Sequence, residues 1–128
     1  MSPKKNGTKS AGEFFRKLRP LLESSDQPMY VYLDDDRRVC NKKFASLLGY
    51  KSAREWSSVK GSFPMVFVDG ASRHTLVSAY RSSVGEKTGS SIRVTWNTKN
   101  NKKVKTNVIM VPVTYKKMTF ALHFVSKM

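Results

Sequence analysis

With 128 residues, of which 39% are hydrophobic, the chain can form one domain with one core. It has no apolar run near the ~20 residues of a membrane-spanning helix, no secretory signal pattern and one cysteine, which excludes an internal disulfide, so we expect a cytoplasmic protein without membrane contact. Lys and Arg number 24 against 9 for Asp and Glu, and this formal net charge of +15 favours association with polyanions, although a solvated basic face that keeps the protein soluble is the simpler interpretation.

The N-terminal segment divides into a polar arm and an amphipathic helix. Residues 1–12 are basic and contain Gly and Pro, so we expect a disordered arm. Residues 13–24 carry a single apolar stripe at helical spacing, and Pro20 inside it predicts a kink or a restart. A helix this short is not stable alone, so its stripe must pack on another surface. The stripe comprises Phe14, Phe15, Leu18, Leu21 and Leu22.

Residues 28–56 predict a hairpin followed by two short helices. Residues 29–33 are rich in β-forming types, and three aspartates make the turn into a short strand over residues 37–40. Asn41 stands at the N-cap of the next helix, where its side-chain oxygen can accept a hydrogen bond from a backbone N–H. Gly49 supplies the left-handed residue that ends this helix.

The second half of the chain predicts a connecting helix. Proline excludes a regular helix over residues 61–68. The longest helix of the chain then begins at Asp69 or Ser72 and ends at Gly85 or Gly89.

Residues 90–125 predict three antiparallel strands joined by turns rich in Asn and Lys. The first of them alternates apolar and polar residues, which is typical of a sheet with one buried face. In the last, the alternation of side chains puts Phe120 and Phe124 on one face and His123 on the other.

The order of these elements, β-β-α-α-α-β-β-β, resembles that of the PAS family. The segment NKKFASLLGY is similar to the family's Asn-x-x-Phe…Leu-Gly-Tyr signature, and MYVYLDDDRRV before it resembles the first hairpin. SIRVTWNTKNNKKVKTNVIMVPV resembles the central hairpin. The sequence departs from the family at Val68-Asp69-Gly70, where a His-Pro-Asp run often stands, and at Asn100-Asn101, where the turn usually carries Asp-Gly. The resemblance covers about residues 25–126.

The resemblance implies an α+β fold. A five-stranded antiparallel sheet would carry the short helices and one connecting helix on one face and the N-terminal amphipathic helix on the other. The PAS-like domain would occupy residues 25–128, after the arm over residues 1–12 and the helix over residues 13–24. The resemblance also implies a non-catalytic sensory module. The chain lacks the Asp-x-Thr link that leads to an output helix in many members. If the 128 residues are the whole protein, its output would act in trans through a signalling protein partner.

The apolar and aromatic side chains of such a fold can line a cavity for a small hydrophobic or planar ligand. The alternative is a filled core that binds nothing, and the sequence leaves both open. The residues expected at the cavity are Phe44, Leu48, Trp56, Phe63, Phe67, Leu76, Tyr80, Trp96, Phe120 and Phe124.

In PAS-like proteins an N-terminal helix commonly mediates dimers. The resemblance therefore implies a homodimer through this helix and the outer face of the sheet. The dimer residues would be Phe14, Phe15, Leu18 and Leu22.

The sequence indicates no cofactor or metal site. His74 lies near the start of the connecting helix, from which some PAS-like haem sensors take their axial ligand, but it falls at the edge of the buried face and we expect a surface residue. We expect His123 to be a packed residue of the sheet. The flavin motif Asn-Cys-Arg-Phe of light-sensing relatives is missing, so Cys40 predicts a core residue. The run Asp34-Asp35-Asp36 predicts a solvated turn and not a cation site.

No catalytic triad, paired-carboxylate site or phosphate loop is recognisable, which indicates a non-enzyme. A function of another class stays open, namely a small basic nucleic-acid-associated regulatory protein. Its contacts would be Lys99, Lys102, Lys103, Lys105, Lys116 and Lys117 at the hairpin tips, with Lys4, Lys5 and Lys9 of the arm.

Overall fold

The structure, a computed structural model, describes residues 3–128, with side chains from Lys9 onward. None of the described helices is long and apolar enough to cross a membrane. In chain order the elements are α1 (Pro3–Ser24), β1 (Met29–Asp34), β2 (Arg37–Cys40), α2 (Lys42–Leu47), α3 (Ala53–Ser57), α4 (Phe63–Phe67), α5 (Gly70–Glu86), β3 (Ser90–Asn97), β4 (Lys103–Tyr115) and β5 (Met118–Lys127).

The strands form one antiparallel sheet in the order β2-β1-β5-β4-β3. The C-terminal strand β5 lies at the centre and joins the first hairpin to the last three strands. Cα partners such as Tyr30 with His123 and Val31 with Leu122 put alternate residues on opposite faces. Helices α2–α5 cover one face and α1 covers the other, so the predicted fold class is confirmed.

The inner face of the sheet and helices α2–α5 enclose an aromatic core. Tyr30 lies at its centre, with ring centroids between 4.7 and 6.0 Å from those of Phe44, Trp56, Phe63 and Trp96. None of these five side chains is more than 4% exposed. Because burial of a large apolar side chain stabilises a fold by roughly 1.5–3 kcal/mol, this cluster anchors the helices to the sheet.

Helix α1 packs on part of the outer face of the sheet. The ring of Phe14 stacks on that of Phe120, with centroids 4.2 Å apart and planes within 11°. Leu18 and Leu22 of the same stripe are also buried. The amphipathic helix therefore satisfies its apolar stripe within its own chain.

Helix α1 begins at Pro3, well before residue 13, so the disordered arm expected over residues 1–12 is helical from Pro3 onward. Ala11, which is 1% exposed, extends the buried stripe by one turn, so the packed part of the helix begins before residue 13. The Glu13 carboxylate accepts a hydrogen bond from the Tyr115 hydroxyl and ties this part of the helix to the end of β4. The first two residues lie outside the described part of the chain.

Four features of the helices differ from the predictions. Pro20 lies inside α1 without ending it, since it is on the exposed side of a helix whose other side is held by the sheet. Pro64 occupies the first turn of α4, where a missing N–H is tolerated. Helix α5 begins after its N-cap Asp69, as predicted, but it continues through Gly85 to Glu86, and its C-cap Lys87 is left-handed with φ of 55°. With 17 residues α5 is shorter than the 22-residue α1 and is not the longest helix.

Candidate ligand cavity and interaction surfaces

Asn41 links the first strand to the helical layer. Its Oδ1 accepts hydrogen bonds from the N–H of Phe44 (3.0 Å), as an N-cap does, and from the N–H of Met29 (3.1 Å). Its Nδ2 donates to the carbonyl of Gln27 at 2.7 Å. Gly49 follows α2 with φ of 86°, a value that a residue with a side chain rarely adopts. Both residues stabilise the backbone conformation, and neither is placed to contact a ligand in the cavity.

Arg38 holds α3 against the hairpin, a role that we did not predict. Its side chain is only 4% exposed, and its guanidinium donates to the carbonyls of Asp35, Trp56 (2.9 Å) and Val59 (2.7 Å). It also lies 5.0 Å from the centre of the Trp56 ring, within range of a cation–π contact. Burial lowers the pKa of Arg38, but a guanidinium stays protonated. The signal in the sequence was its spacing of two from Cys40, which puts both on one strand face.

A cavity of about 330 Å³ lies between the inner face of the sheet and helices α4 and α5. This volume is within the range of ~300–1,000 Å³ that is usual for small-molecule sites. One wall comes from β1 and β5 and the facing wall from α5. Its lining residues are Tyr30, Tyr32, Asp35, Ser62, Phe63, Pro64, Leu76, Val77, Tyr80, Arg81 and His123.

Two polar side chains are buried in the sheet wall of this cavity without hydrogen-bond partners. Tyr30 is fully buried and His123 is 1% exposed, yet neither Tyr30 Oη nor His123 Nδ1 has a partner in hydrogen-bonding geometry, although the backbone of Tyr30 and of Ala121 lies near the imidazole. Their rings stack with centroids 3.9 Å apart. Burial lowers the pKa of His123 to about 3 and raises that of Tyr30 well above its usual value, so both groups are neutral at physiological pH. The wall thus offers neutral hydrogen-bonding groups within apolar surroundings.

The mouth of the cavity is fixed by the turn between β1 and β2. Asp35 Oδ1 accepts hydrogen bonds from the Tyr32 hydroxyl at 3.1 Å and from the N–H of Phe63 at 2.8 Å. These bonds tie the turn to the start of α4. On the opposite side the Tyr80 hydroxyl donates to the carbonyl of Leu33 at 3.2 Å, which anchors α5 to β1. The walls are therefore held by hydrogen bonds in their present positions.

The cavity residues expected from the sequence fall into three groups. Leu76, Tyr80 and Phe63 line the cavity. Phe120 and Phe124 do not, because they lie on the outer face of β5, where Phe120 packs under α1. The remaining five form the filled part of the inner core, namely Phe44, Leu48, Trp56, Phe67 and Trp96.

Tyr30 and His123 were not expected at the cavity. The alternation of β5 had already put His123 opposite Phe120 and Phe124. The alternation did not predict which of these side chains would face the inner core and which would lie on the outer face of the sheet. The register between Tyr30 and His123 decides this, and it joins residues from opposite ends of the chain.

The other chemically interesting residues do not form sites. His74 is exposed and is not among the cavity residues. Cys40 is buried, and burial raises the pKa of its thiol to about 12. Asp34 accepts hydrogen bonds from the N–H groups of Asp36 (3.0 Å) and Arg37 (2.8 Å). Within the described residues no group of three His, Cys, Asp or Glu is arranged to hold a metal ion.

The expected basic patch is divided into two. Lys99, Lys102, Lys103 and Lys105 lie near one end of the 13-residue strand β4, and the turn with Lys116 and Lys117 lies beyond the other. At ~3.3 Å per residue the two ends are about 40 Å apart. Three of these lysines pair with carboxylates: Lys99 with Glu55, Lys103 with Asp69 and Lys116 with Glu13. The side chains of Lys4 and Lys5 lie outside the described residues.

Part of the outer sheet face is not covered by α1. Ile109 and Val111 of β4 pair with Phe124 and Leu122 of β5 and share their face, but they are 51% and 38% exposed. Leu21 of α1 is 52% exposed. Arg19 lines a groove between α1 and β2. On a helical wheel Leu21 lies on the opposite flank of α1 from Arg19, so Leu21 is directed toward β4. These three side chains, Leu21, Ile109 and Val111, are here called the outer apolar surface.

Comparison with solved structures supports the assignment of the fold. The PAS domain of an HTR-like protein from Haloarcula marismortui is 20% identical, with a TM-score of 0.61 over 97% of this chain and 99% of that one. A PAS domain from a two-component sensor histidine kinase is 9% identical, with a TM-score of 0.64 over 92% of this chain and 99% of that one. The LOV protein of Rhodobacter sphaeroides is 14% identical, with a TM-score of 0.68 over 91% of this chain and 68% of that one.

No protein-family model matches the chain, and a search of curated proteins finds no match either. The structural likeness extends over nearly the whole chain, and the strand order and helical layer agree with the resemblance seen in the sequence. The chain therefore has a PAS-like fold.

Proposed function

We propose that the protein is a non-catalytic sensory module. A small ligand binds in the cavity between α5 and the sheet. Ligand binding then changes self-association or the interaction with a signalling protein partner. The observation that carries this proposal is the cavity of about 330 Å³, since a fold with a filled core has no room for a ligand. The likeness to a PAS domain of a sensor histidine kinase supports a sensory role.

The chemistry of the cavity favours binding over catalysis. A general base needs a pKa near the working pH, whereas burial lowers the pKa of His123 to about 3. The Asp35 carboxylate at the mouth already accepts two hydrogen bonds, from Tyr32 and Phe63. Neither group is set up to remove a proton from a bound molecule.

Native mass spectrometry with an absorbance spectrum, on freshly purified protein, tests ligand binding directly. We expect a non-covalent adduct in the wild-type protein. Val77→Trp should remove it, because Val77 lines the cavity and a tryptophan there would fill it. Arg93→Trp, on the outer side of β3, is the matched control and should keep the adduct. An adduct of equal occupancy in Val77→Trp would put the ligand elsewhere and overturn the proposal.

For self-association we propose the outer apolar surface. The stripe of Phe14, Leu18 and Leu22 is buried within the chain, and Phe15 is half-buried, so on this side of the sheet the large apolar groups free to meet a second copy are those of the outer apolar surface. Because each copy carries a formal charge of +15, two copies repel one another. Self-association should therefore become stronger as salt is added.

Sedimentation velocity at ~50 and ~500 mM salt checks the proposed dimer. Ile109→Asp should abolish self-association at both concentrations. Met65→Asp is the control, because Met65 is 61% exposed but lies on α4, away from the outer face. A monomer at high concentration and high salt, or equal effects of the two substitutions, would refute this interface.

A second candidate, nucleic-acid association, is favoured by the charge distribution. In the described part of the chain Lys102, Lys105 and Lys117 have no carboxylate partner, and no acidic residue follows Glu86. Binding to DNA or RNA should weaken steeply with salt, the opposite of the dependence expected for the dimer. No binding to a duplex or single-stranded oligonucleotide at ~50 mM salt would eliminate this candidate.

A further inference from the structure

The sheet wall of the cavity holds polar groups where apolar ones would stabilise the fold. A buried hydroxyl or imidazole nitrogen without a hydrogen-bond partner is costly, and native structures rarely retain one without a reason. Most other inner-face positions are apolar, such as Val94 and Val125, which are at most 1% exposed, and the buried hydroxyl of Thr106 is hydrogen-bonded to Trp96 and to the carbonyl of Val94. Tyr30 and His123, which line the cavity, are exceptions, because their polar atoms Oη and Nδ1 have no hydrogen-bond partner. A ligand that hydrogen-bonds to them supplies that reason.

The size and shape of the cavity restrict the ligand. A cavity of ~150 Å³ encloses benzene, and the volume here, about 330 Å³, is roughly twice as large. The rings of Tyr30 and His123 stack with planes within 14°, so the flat surface is the face of the His123 ring that is turned away from Tyr30. The Tyr80 ring is parallel to that of His123 within 14°, with centroids 6.5 Å apart. Flat walls of this kind favour a planar molecule of two rings.

The charge of the ligand is restricted as well. Burial lowers the pKa of His123 to about 3, so the deep part of the cavity holds no cation that could pair with an anionic ligand. Arg81 and Asp35 line the cavity but are exposed at its mouth, where water screens them. The Asp35 carboxylate is also engaged by Tyr32 and Phe63. A charged group in the interior would lose its hydration without compensation.

Taken together, these observations lead us to propose that the cavity binds a small, flat, uncharged two-ring compound whose single polar group, such as a hydroxyl, carbonyl or ring nitrogen, hydrogen-bonds to Tyr30 Oη and His123 Nδ1. This inference rests on the proposed ligand-binding function of the same cavity and adds the chemical class of the ligand. Tyr30 and His123 act as specificity-determining residues. The cavity supplies the affinity for the rings, and the two polar atoms select among flat compounds of similar size.

Equilibrium dialysis with two probes tests this selectivity. The probes are 2-naphthol and naphthalene, which share their rings and differ by one hydroxyl. We expect the wild-type protein to bind 2-naphthol about tenfold more tightly, the difference that a hydrogen bond to an otherwise unpaired buried group makes. Tyr30→Phe, which removes only the hydroxyl, should abolish this preference and leave the naphthalene affinity unchanged. His123→Phe keeps a ring for stacking and should reduce the preference in the same direction.

Tyr50→Phe is the matched control for Tyr30→Phe. It removes a hydroxyl from a tyrosine of the same inner core that does not line the cavity, so the preference for 2-naphthol should persist. Val77→Trp should eliminate binding of both probes. Circular dichroism of each variant establishes that it is folded, and a Tyr30→Phe protein that failed to fold would leave His123→Phe as the deciding variant.

Three results would overturn the inference. Equal binding of both probes by the wild-type protein would retain the cavity as a ligand site but refute its polar selectivity. A Tyr30→Phe protein with an unchanged preference would refute the role of the buried hydroxyl. Binding of neither probe would refute the ligand class, and the adduct seen by native mass spectrometry then decides separately whether the proposed function still holds. If the protein binds 2-naphthol selectively but shows no adduct by native mass spectrometry, the inference is supported. The natural ligand has then been lost during purification.

Discussion

Phe14→Ala tests whether α1 stabilises its own chain or a dimer. Phe14 is 7% exposed and contacts the rings of Phe120 (4.2 Å), Tyr115 (5.6 Å) and Phe15 (6.2 Å). Truncation of a buried phenylalanine to alanine costs about 3–5 kcal/mol. Since this contact lies between one helix and the edge of a second core, we expect a value near the lower limit, about 3 kcal/mol, lost from the free energy of unfolding.

The assay is urea unfolding of the monomeric protein at low concentration, followed by tryptophan fluorescence. Leu21→Ala is the control, because Leu21 belongs to the same helix but is 52% exposed, and its effect should stay within ~0.5 kcal/mol. Phe14→Ala should also uncover Phe120 and so increase self-association. If Phe14→Ala instead abolished the dimer and left the unfolding free energy of the monomer unchanged, then α1 would pack on a second copy and the reasoning would be refuted.

Three further predictions concern single side chains. Arg38→Met should lower the free energy of unfolding by about 3 kcal/mol in urea, because three backbone carbonyls lose their donor, and a neutral effect would show that the cost of burying the charge cancels these hydrogen bonds. Lys117→Gly should raise thermal stability by about 1 kcal/mol, because Lys117 has φ of 68°; the same gain from Lys102→Gly, at a residue without positive φ, would contradict this. The free energy of unfolding should fall as the pH is lowered from 6.5 toward 3, by up to about 1.4 kcal/mol per pH unit. The reason is that His123 takes up a proton in the unfolded chain but not in the folded one, where its pKa is about 3. If the unfolding free energies of His123→Phe and the wild-type protein changed in parallel over pH 4.5–6.5, this prediction would be wrong.

The sequence predicted those parts of the fold that depend on local patterns. The alternation along β5, the apolar stripe of α1 and the sequence around Asn41 each gave a correct element, because strand pleating, helical spacing and capping act over a few residues. Left-handed residues were predicted only where a glycine stood. Lys87 and Lys117 adopt such conformations without being glycine, and composition carries no signal for them.

The candidate site was less predictable because it depends on contacts between distant parts of the chain. Tyr30 and His123 come together through the pairing of β1 with β5, and aromatic composition alone did not distinguish them from Phe120. The lysines of the two hairpin tips belong to one stretch of sequence, yet the length of β4 separates them. Arg38 differs from Arg37 only in the face of β2 that it occupies, and that face is set by the pairing of Arg38 with Tyr32.

The sheet offers a short route from the cavity to the outer face. Tyr30 and Val31 are neighbours on β1, and His123 and Leu122 are neighbours on β5, so each cavity residue is one residue away from a side chain packed under α1. A ligand can shift the position of α1 only if it binds more tightly to one arrangement of these strands than to another. Tyr30→Phe would remove the proposed hydrogen bond to the ligand and keep the ring that supports β1. We therefore expect this variant to retain self-association, but addition of 2-naphthol should no longer change the strength of that association. Ile109→Asp should retain the binding of 2-naphthol and lose self-association.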